Sequence, residues 1–440
     1  MKTVIRPETE MKDSGIEWIG DIPKDWNSAP IKVNFDIYAG ATPSSNNPIY
    51  WDGDIAWITP ADYKTEDKYV SCGKRHISQD GYDNCSAILV PANSIIFSKR
   101  APIGTVAISK NELCTNQGCL SCVSKDDSNI EFYYYAMSIA TEEFELKGSG
   151  TTFKEISLAN FKNFRFAVPP LSEQQAIADY LDETCSKIDE IIAEAKASID
   201  EYKKLRQGII FEAVTKGLDK NVEMKSTSVG WIGTVPSHWR VAKIRQVAEF
   251  YNGDRSSKYP SGNDIVSEGI IFITSNNLGY IVLNTNISTN KFITKQKYDD
   301  LGGAKLRIND IVFCLRGSVG KCAINKTFDE GTIASSLVVI RAKKVDADYL
   351  NYVLQNHRIT DEAIVNAIGI GSLNLAAHDI SEFYMPIPPE REMQDIVRYL
   401  DDKVGNVDDL ISEKESLIND LEAYKKSLIY EVVTGKRKVV

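Results

Sequence analysis

"GWIGTVPSHW", residues 230–239, has the form of a domain opening: a small apolar cluster, a proline, then a tryptophan suited to anchor a core. It stands, however, in the middle of a 440-residue chain. The same phrase occurs near the amino terminus as "EWIGDIPKDW", residues 17–26, with Trp18, Ile19, Gly20, Pro23 and Trp26 matching Trp231, Ile232, Gly233, Pro236 and Trp239. A phrase that returns in mid-chain makes an internal repeat the first hypothesis, because a missed repeat misassigns the whole fold.

The repeat runs through nearly the entire chain. "FDIYAG" (35–40) matches "AEFYNG" (248–253), "IAWITPADY" (55–63) matches "IIFITSNNL" (270–278), and "NSIIFSKRAPIGTVAI" (93–108) matches "NDIVFCLRGSVGKCAI" (309–324). Each half then reaches a Pro-Pro signal. "FAVPPLSEQQAIADYLD" (166–182) aligns without a gap to "MPIPPEREMQDIVRYLD" (385–401), and the register holds to "IIFEAVT" (209–215) and "LIYEVVT" (428–434).

Within each half, short runs of Ile, Val, Phe, Tyr and Trp broken by Gly, Asn, Asp and Pro read as strands. A helix is expected near "EFYYYAMSIATEEFE" (131–145) and its counterpart "DADYLNYVLQNHRITDEAIV" (346–365). After each Pro-Pro a long helix is better determined, since proline suits a helix start and no Gly or Pro interrupts 171–207. Heptad spacing predicts a coiled-coil seam of Leu181, Ile188, Ile191, Tyr202 and Leu205 with Leu400, Val407, Leu410, Leu421 and Tyr424, imperfect at Ser198 and Lys414. Ile177, Ile192, Ile396 and Ile411 are then expected on outward faces, with burial against the chain's own heads as the alternative.

About 40 helical residues make a rod of roughly 60 Å. The first rod leaves one head and enters the other, so a second rod packed along it must run back. The predicted fold class is α+β: two similar mixed α/β heads joined by two long antiparallel coiled-coil helices in a pseudo-two-fold dumbbell. The expected segments are a first head at 1–167, a first helix at 168–218, a second head at 219–386 and a second helix at 387–440.

Composition narrows the function classes. With 43% apolar and 25% charged residues the chain is an ordinary globular one. It has no apolar run long enough for a membrane span and no secretory signal, so a cytoplasmic location is expected. The net charge of −10 is uneven: residues 14–165 carry 14 basic and 19 acidic groups, whereas 226–384 carry 17 and 15, so the second head can present a positive surface despite the total.

The eight cysteines form no disulfide framework, and Cys119–Cys122 is a lone C-x-x-C without the second pair a zinc site needs; no metal site is expected. Catalytic motifs are also missing. "VPPL" and "IPPE" lack the Asp or Asn of a [DN]-P-P-[FY] methyltransferase motif. "RGSVGKC" (316–322) lacks the first glycine and the final hydroxyl of a phosphate loop, and "GIGSLN" (369–374) is a broken dinucleotide fingerprint.

Two related but unequal heads held apart suit a long ligand with near two-fold symmetry, and duplex DNA is such a ligand. The tandem arrangement, the "WIG-x-x-P-x-x-W" openings, the "VPPLSEQ" and "IPPEREMQ" helix starts and the "EAVT" and "EVVTGK" ends closely resemble the specificity subunit of type I restriction-modification systems. The resemblance covers residues 14–438. It implies target-recognition domains that read the two halves of a split asymmetric site and spacer helices that dock two methyltransferase subunits. A restriction/translocase subunit would join through them, and the chain itself would not be an enzyme. No cofactor is expected in this chain; S-adenosylmethionine is expected in the methyltransferase partners. A scaffold binding protein or glycan is the alternative, distinguishable by binding that ignores salt.

Phosphate contacts position a protein and base contacts specify. The expected phosphate contacts are Lys74, Arg75, Lys99, Arg100, Lys154, Lys258, Lys291, Arg316 and Lys321, with pairing to an internal carboxylate the competing role for Arg100 and Arg316. Base readers are expected where the halves diverge beside shared strands: Asp62, Tyr63, Asn116, Gln117, Thr151 and Thr152 in the first head, and Ser275, Asn276, Asn277, Ser335, Ser372 and Asn374 in the second.

Overall fold

Each tryptophan phrase builds a hairpin followed by a buried indole. In the computed structural model, which describes residues 2–125, 128–150, 154–284, 286, 288, 290–366 and 375–440, Met11–Asp13 pairs antiparallel with Asp21–Pro23. Met224–Ser226 pairs in the same way with Thr234–Pro236. The connecting loop includes a left-handed residue, and Gly20 (φ +70°) and Gly233 (φ +69°) supply it. Trp26 and Trp239 are 0% exposed, so the repeated phrase is core architecture.

The chain divides into two compact units, Met1–Ala195 with Ser416–Val440, and Lys196–Glu415. The division falls inside both long helices, so each unit owns one head and half of each helix.

In the first unit a five-stranded sheet runs in the order Phe35–Ala39, Cys119–Ser124, Ile95–Lys99, Ile103–Ser109, Tyr69–Val70, antiparallel except at the last pair. Beside it lies a smaller sheet of Cys114–Thr115, Trp51–Ile58 and Arg75–Ile77. Helix Ile130–Ser138, capped by the Asn129 side chain on the Phe132 amide at 2.8 Å, buries Phe132, Tyr133, Tyr134, Tyr135 and Met137. Phe97, Phe144, Phe161, Phe164 and Phe166 fill the space between, at about 1.5–3 kcal/mol of burial each.

The second unit repeats the plan. One sheet is Ala248–Asn252, Leu337–Ala342, Ile311–Cys314, Cys322–Ile324; the other is Ile265–Val266, Lys291–Ile293, Ile270–Ile273, Gly331–Ile333. Helix Ala347–Gln355, capped by Asp346, takes the place of Ile130–Ser138. "RGSVGKC", the phosphate-loop lookalike, is the connection between the paired strands Ile311–Cys314 and Cys322–Ile324.

Strands Arg165–Val168 and Tyr384–Ile387 lead through the two Pro-Pro pairs into helices Leu171–Lys216 and Glu390–Val433, of 46 and 44 residues. In the first unit Leu181 and Cys185 share a core with Leu428, Ile429 and Val432, while Asp189 reaches Lys425 at 2.6 and 2.7 Å. In the second, Ile210, Ala213 and Val214 share a core with Met393, Ile396, Leu400 and Val404, and Arg206 pairs with Asp408. The helices therefore run antiparallel in both units. The gap-free helix alignment has an offset of 219 residues, which carries Asp189 to Asp408 and Arg206 to Lys425. The two cross-helix ion pairs are thus one pair, repeated.

The seam needs correction. Leu181, Ile188, Leu400 and Val407 are buried and Tyr202 and Leu421 half-buried, but Ile191 (46%), Leu205 (53%), Leu410 (40%) and Tyr424 (51%) are exposed. The buried set is Leu181, Cys185, Ile188, Ile192, Ala195 and Ile199 on the first helix, and Leu400, Val404, Val407, Ile411 and Ile418 on the second. At 3.6 residues per turn, positions three and four residues on lie at opposite edges of one face. Here the partner covers the edge four residues on. Ile177, Ile192, Ile396 and Ile411, expected outside, are at most 7% exposed, and Ile177 and Ile396 lie in the cores that hold their heads' aromatic residues.

Each head is latched to its helix by a matching contact. Tyr135 donates to Asp182 at 2.5 Å and Tyr352 to Asp401 at 2.7 Å, and the two aspartates are related by the same offset. Burial first, then the facing carboxylate, pushes both phenols far above their ordinary range. In the first unit Lys68 adds a bridge between Glu131 and Asp182. Burial opposes its charge, yet the two carboxylates outweigh that and raise its pKa. Thr3–Ile5 pairs antiparallel with Arg437–Val439 and closes the first unit. Among the described residues no helix is long and apolar enough to cross a membrane.

Candidate nucleic-acid interface

The divergent loops converge in each unit because one glycine lets two sheets touch. A Cβ at Gly40 would collide with the carbonyl oxygens of Thr115 and Asn116, and one at Gly253 with those of Ile333 and Ala334. Across the same junction the Asn116 amide donates to Ile58 and the Ala334 amide to Ile273, both at 2.8 Å. Loops 40–42, 59–62 and 116–118 thus sit together in the first unit, as do 253–255, 274–277 and 334–336 in the second.

On this shared scaffold several expected base readers prove to be internal. Asp62 accepts from the amide and hydroxyl of Thr59 at 2.8 and 2.7 Å, and from the Lys74 amide at 3.0 Å. Asn277 accepts from the amide and hydroxyl of Thr274 at 2.9 and 3.1 Å and is 0% exposed. These are one turn in two copies, its Thr and its Asp or Asn three residues apart. Tyr63 is 3% exposed with its hydroxyl 3.7 Å from the Cys119 sulfur, and burial raises its pKa well above the ordinary value. Tyr63 and Asn277 have no surface to offer a base edge, and both leave the base-reading set.

Others stay at the surface. Gln117 is exposed and hydrogen-bonds Thr42, while half-buried Asn116 accepts from the Gly118 amide at 2.8 Å. Asn276 is exposed, and Ser275 and Ser335 are half-buried. Thr151, Thr152, Ser372 and Asn374 lie outside the described residues.

The basic candidates divide likewise. Lys99 and Arg100 both face Glu155, at 2.7 and 3.5 Å, so the internal-carboxylate role applies to Arg100. Arg75 lays its guanidinium 3.4 Å over the Trp51 ring. Lys74, Lys154, Lys258, Lys291, Arg316 and Lys321 are exposed. Cys119 and Cys122 are buried on one strand, and burial pushes the Cys119 thiol up to about 12.

Sequence reading missed Asp254, which ties loop 253–256 to loop 302–303. Its carboxylate accepts from the Ser256 amide at 2.6 Å and the Gly302 amide at 2.8 Å. Hydrogen bonds from Ser256 above all hold its pKa below the ordinary carboxylate value. A depressed carboxylate contributes its stabilisation above its unfolded pKa and loses it as pH falls through the folded value. Hydrogen exchange should accordingly find the Gly302 amide protected at mildly acidic pH and released only below the ordinary carboxylate range.

A duplicated α/β head, each copy offering a different set of short polar and basic side chains from the same loops, defines a two-part recognition module. The comparisons agree. The model of the type I restriction modification DNA specificity domain matches twice, over residues 23–201 and 236–420. The chain belongs to that family and carries two copies of its domain. A specificity subunit named for the type I restriction enzyme MjaIX, from Methanocaldococcus jannaschii, is 29% identical over 453 residues, covering 99% of this chain and 98% of the relative. The EcoKI specificity subunit of Escherichia coli strain K12 is 20% identical, covering 95% and 90%. A solved structure described as "Structural basis underlying complex assembly and conformational transition of the type I R-M system" shares the fold, with TM-score 0.70 at 15% identity over 94% of this chain and 99% of that one. The chain is a specificity subunit and not itself an enzyme.

Proposed function

We propose that the heads, residues 1–167 and 219–386, each read one half of a split, asymmetric duplex target, and that the helical segments 168–218 and 387–440 set the spacing and dock two methyltransferase subunits. Those partners supply S-adenosylmethionine and the methylation of adenine, and a restriction/translocase subunit joins through them. The observation that carries this reading is the loop cluster built twice on one scaffold with different tips: Gln117 stands where Ser335 stands, and Pro60–Asp62 where Ser275–Asn277 stands. Identical tips would read a palindrome, whereas these read two different half-sites.

The exposed helix positions support paired docking. The 219-residue offset carries Ile191 to Leu410 and Leu205 to Tyr424, so one kind of partner meets a similar apolar surface in both units. Net charge −10 implies that the isolated chain binds DNA weakly and that its partners supply much of the phosphate clamp.

Affinity of the assembled complex for target duplex, measured across salt, tests the reading. Neutralising six to ten phosphates predicts a loss of about 10³–10⁵-fold between 50 and 200 mM salt. Salt-insensitive binding would instead favour a protein or glycan ligand.

A further inference from the structure

The second head's positive balance has a location. An open cleft of about 650 Å³ lies at the edge of strand Ala248–Asn252, between loop 253–256, loop 302–307 and the end of strand Leu337–Ala342. Arg255, Lys305, Arg307, Arg341 and Lys343 line it. Some of these cations are fixed. Arg341 makes two 2.7 Å hydrogen bonds to Asp310 and lies 4.7 Å over Tyr251, Lys343 faces Glu249 at 2.9 Å, and Lys305 donates to the Tyr298 carbonyl. Arg255 and Arg307 are exposed, and neither has a carboxylate partner among the described residues. The Asp254 tie described above holds the two loops that carry or flank them.

Most of these cations have no counterpart among the described residues of the first head. The strand and loop matches place Thr42 opposite Arg255, Leu89 opposite Lys305, Pro91 opposite Arg307 and Val123 opposite Arg341. Four of the five cations thus correspond to uncharged residues, and the fifth, Lys343, to Lys125, which faces Asp36 at 3.3 Å as Lys343 faces Glu249. A second open cleft of about 650 Å³ adjoins at the shared residue Lys343 and adds Arg240 and Lys344. Two open clefts meeting at a lysine suit an extended polyanion better than a small anion, which needs enclosure.

We propose that this cleft is a seat for the phosphate backbone of duplex DNA present in the second unit alone, with Arg255 and Arg307 as its contacts. The proposal rests on the DNA-reading function above. It makes the two heads unequal in kind as well as in sequence: the second holds the backbone electrostatically beside its half-site, while the first keeps only the paired lysine, Lys125, and has uncharged residues opposite Arg255 and Arg307. Phosphate contacts carry no sequence information directly, so losing them weakens target and non-target binding alike.

The test measures binding of the full chain to target and to unrelated duplex from low salt upward, for wild type, Arg255→Ala/Arg307→Ala and Arg255→Lys/Arg307→Lys. Each phosphate contact contributes about 0.9 to the slope of log affinity against log salt. The alanine variant should lose about two from that slope on both duplexes, and the lysine variant should retain it. Melting temperature should not move, since both side chains are exposed. An unchanged slope in the alanine variant overturns the proposal, as does a loss confined to target duplex, which would make the arginines base readers. A wild-type chain whose binding does not respond to salt refutes the DNA reading itself.

Discussion

Replacing Ile192 by Asp should destabilise the first unit by about 3–5 kcal/mol, while the same change at its neighbour Ile191 should stay within about 0.5 kcal/mol. The two residues are adjacent in sequence and alike in chemistry. Ile192 is 7% exposed in the seam, whereas Ile191 is 46% exposed on the outer edge. Aspartate at position 192 deletes a packed side chain and leaves a carboxylate facing apolar residues; at position 191 it meets water. Urea unfolding followed by hydrogen exchange of residues 171–195 measures both. Equal effects would return the seam to the spacing of three that the heptads predict. Ile191→Asp should instead weaken methyltransferase docking, so a stable variant that fails to assemble is the expected phenotype.

The second large effect concerns the spacing of the target. Seven residues inserted after Ala195 and seven after Lys414, its equivalent at the 219-residue offset, keep the heptad on both helices. Seven residues lengthen a helix by about 10.5 Å, close to three base-pair steps of about 3.4 Å. The recognised bases should stay the same while the gap between half-sites grows by about three base pairs, and methylation at the original spacing should be lost. Mapping methylated adenines in cells carrying the altered chain reads this directly. An unchanged gap would remove the helices from any spacing role.

The scaffold was legible because it is written twice. The tryptophan phrase, the Pro-Pro helix starts and the gap-free helix register each carry a local physical signal, and their recurrence identified two heads and two long helices. What could not be read depended on partners remote in sequence. Heptad spacing locates Leu181 and Ile188 but not which edge the other helix covers, so by spacing alone Ile191 fits the seam and Ile192 does not. Divergence between the halves marks Asn277 as a reader, yet it stands three residues after a threonine, as Asp62 does, and that spacing is the signature of a capped turn. Tyr63 stood beside them, and nothing local distinguishes a loop tyrosine from one turned onto a cysteine of the neighbouring sheet. The basic cleft was hidden more completely. Arg255, Arg307 and Arg341 come from three separate segments, and only comparison with Thr42, Pro91 and Val123 in the other half shows that their charge is a departure from the repeat.

Reading of one split target by two unlike heads is most directly tested by the pattern of adenine methylation in DNA from cells with the intact gene and cells without it. One asymmetric motif should vanish with the gene: two short, different half-sites separated by a gap of fixed length and free sequence. Methylation unaffected by loss of the gene, or a lost motif that is continuous or palindromic, would contradict the account.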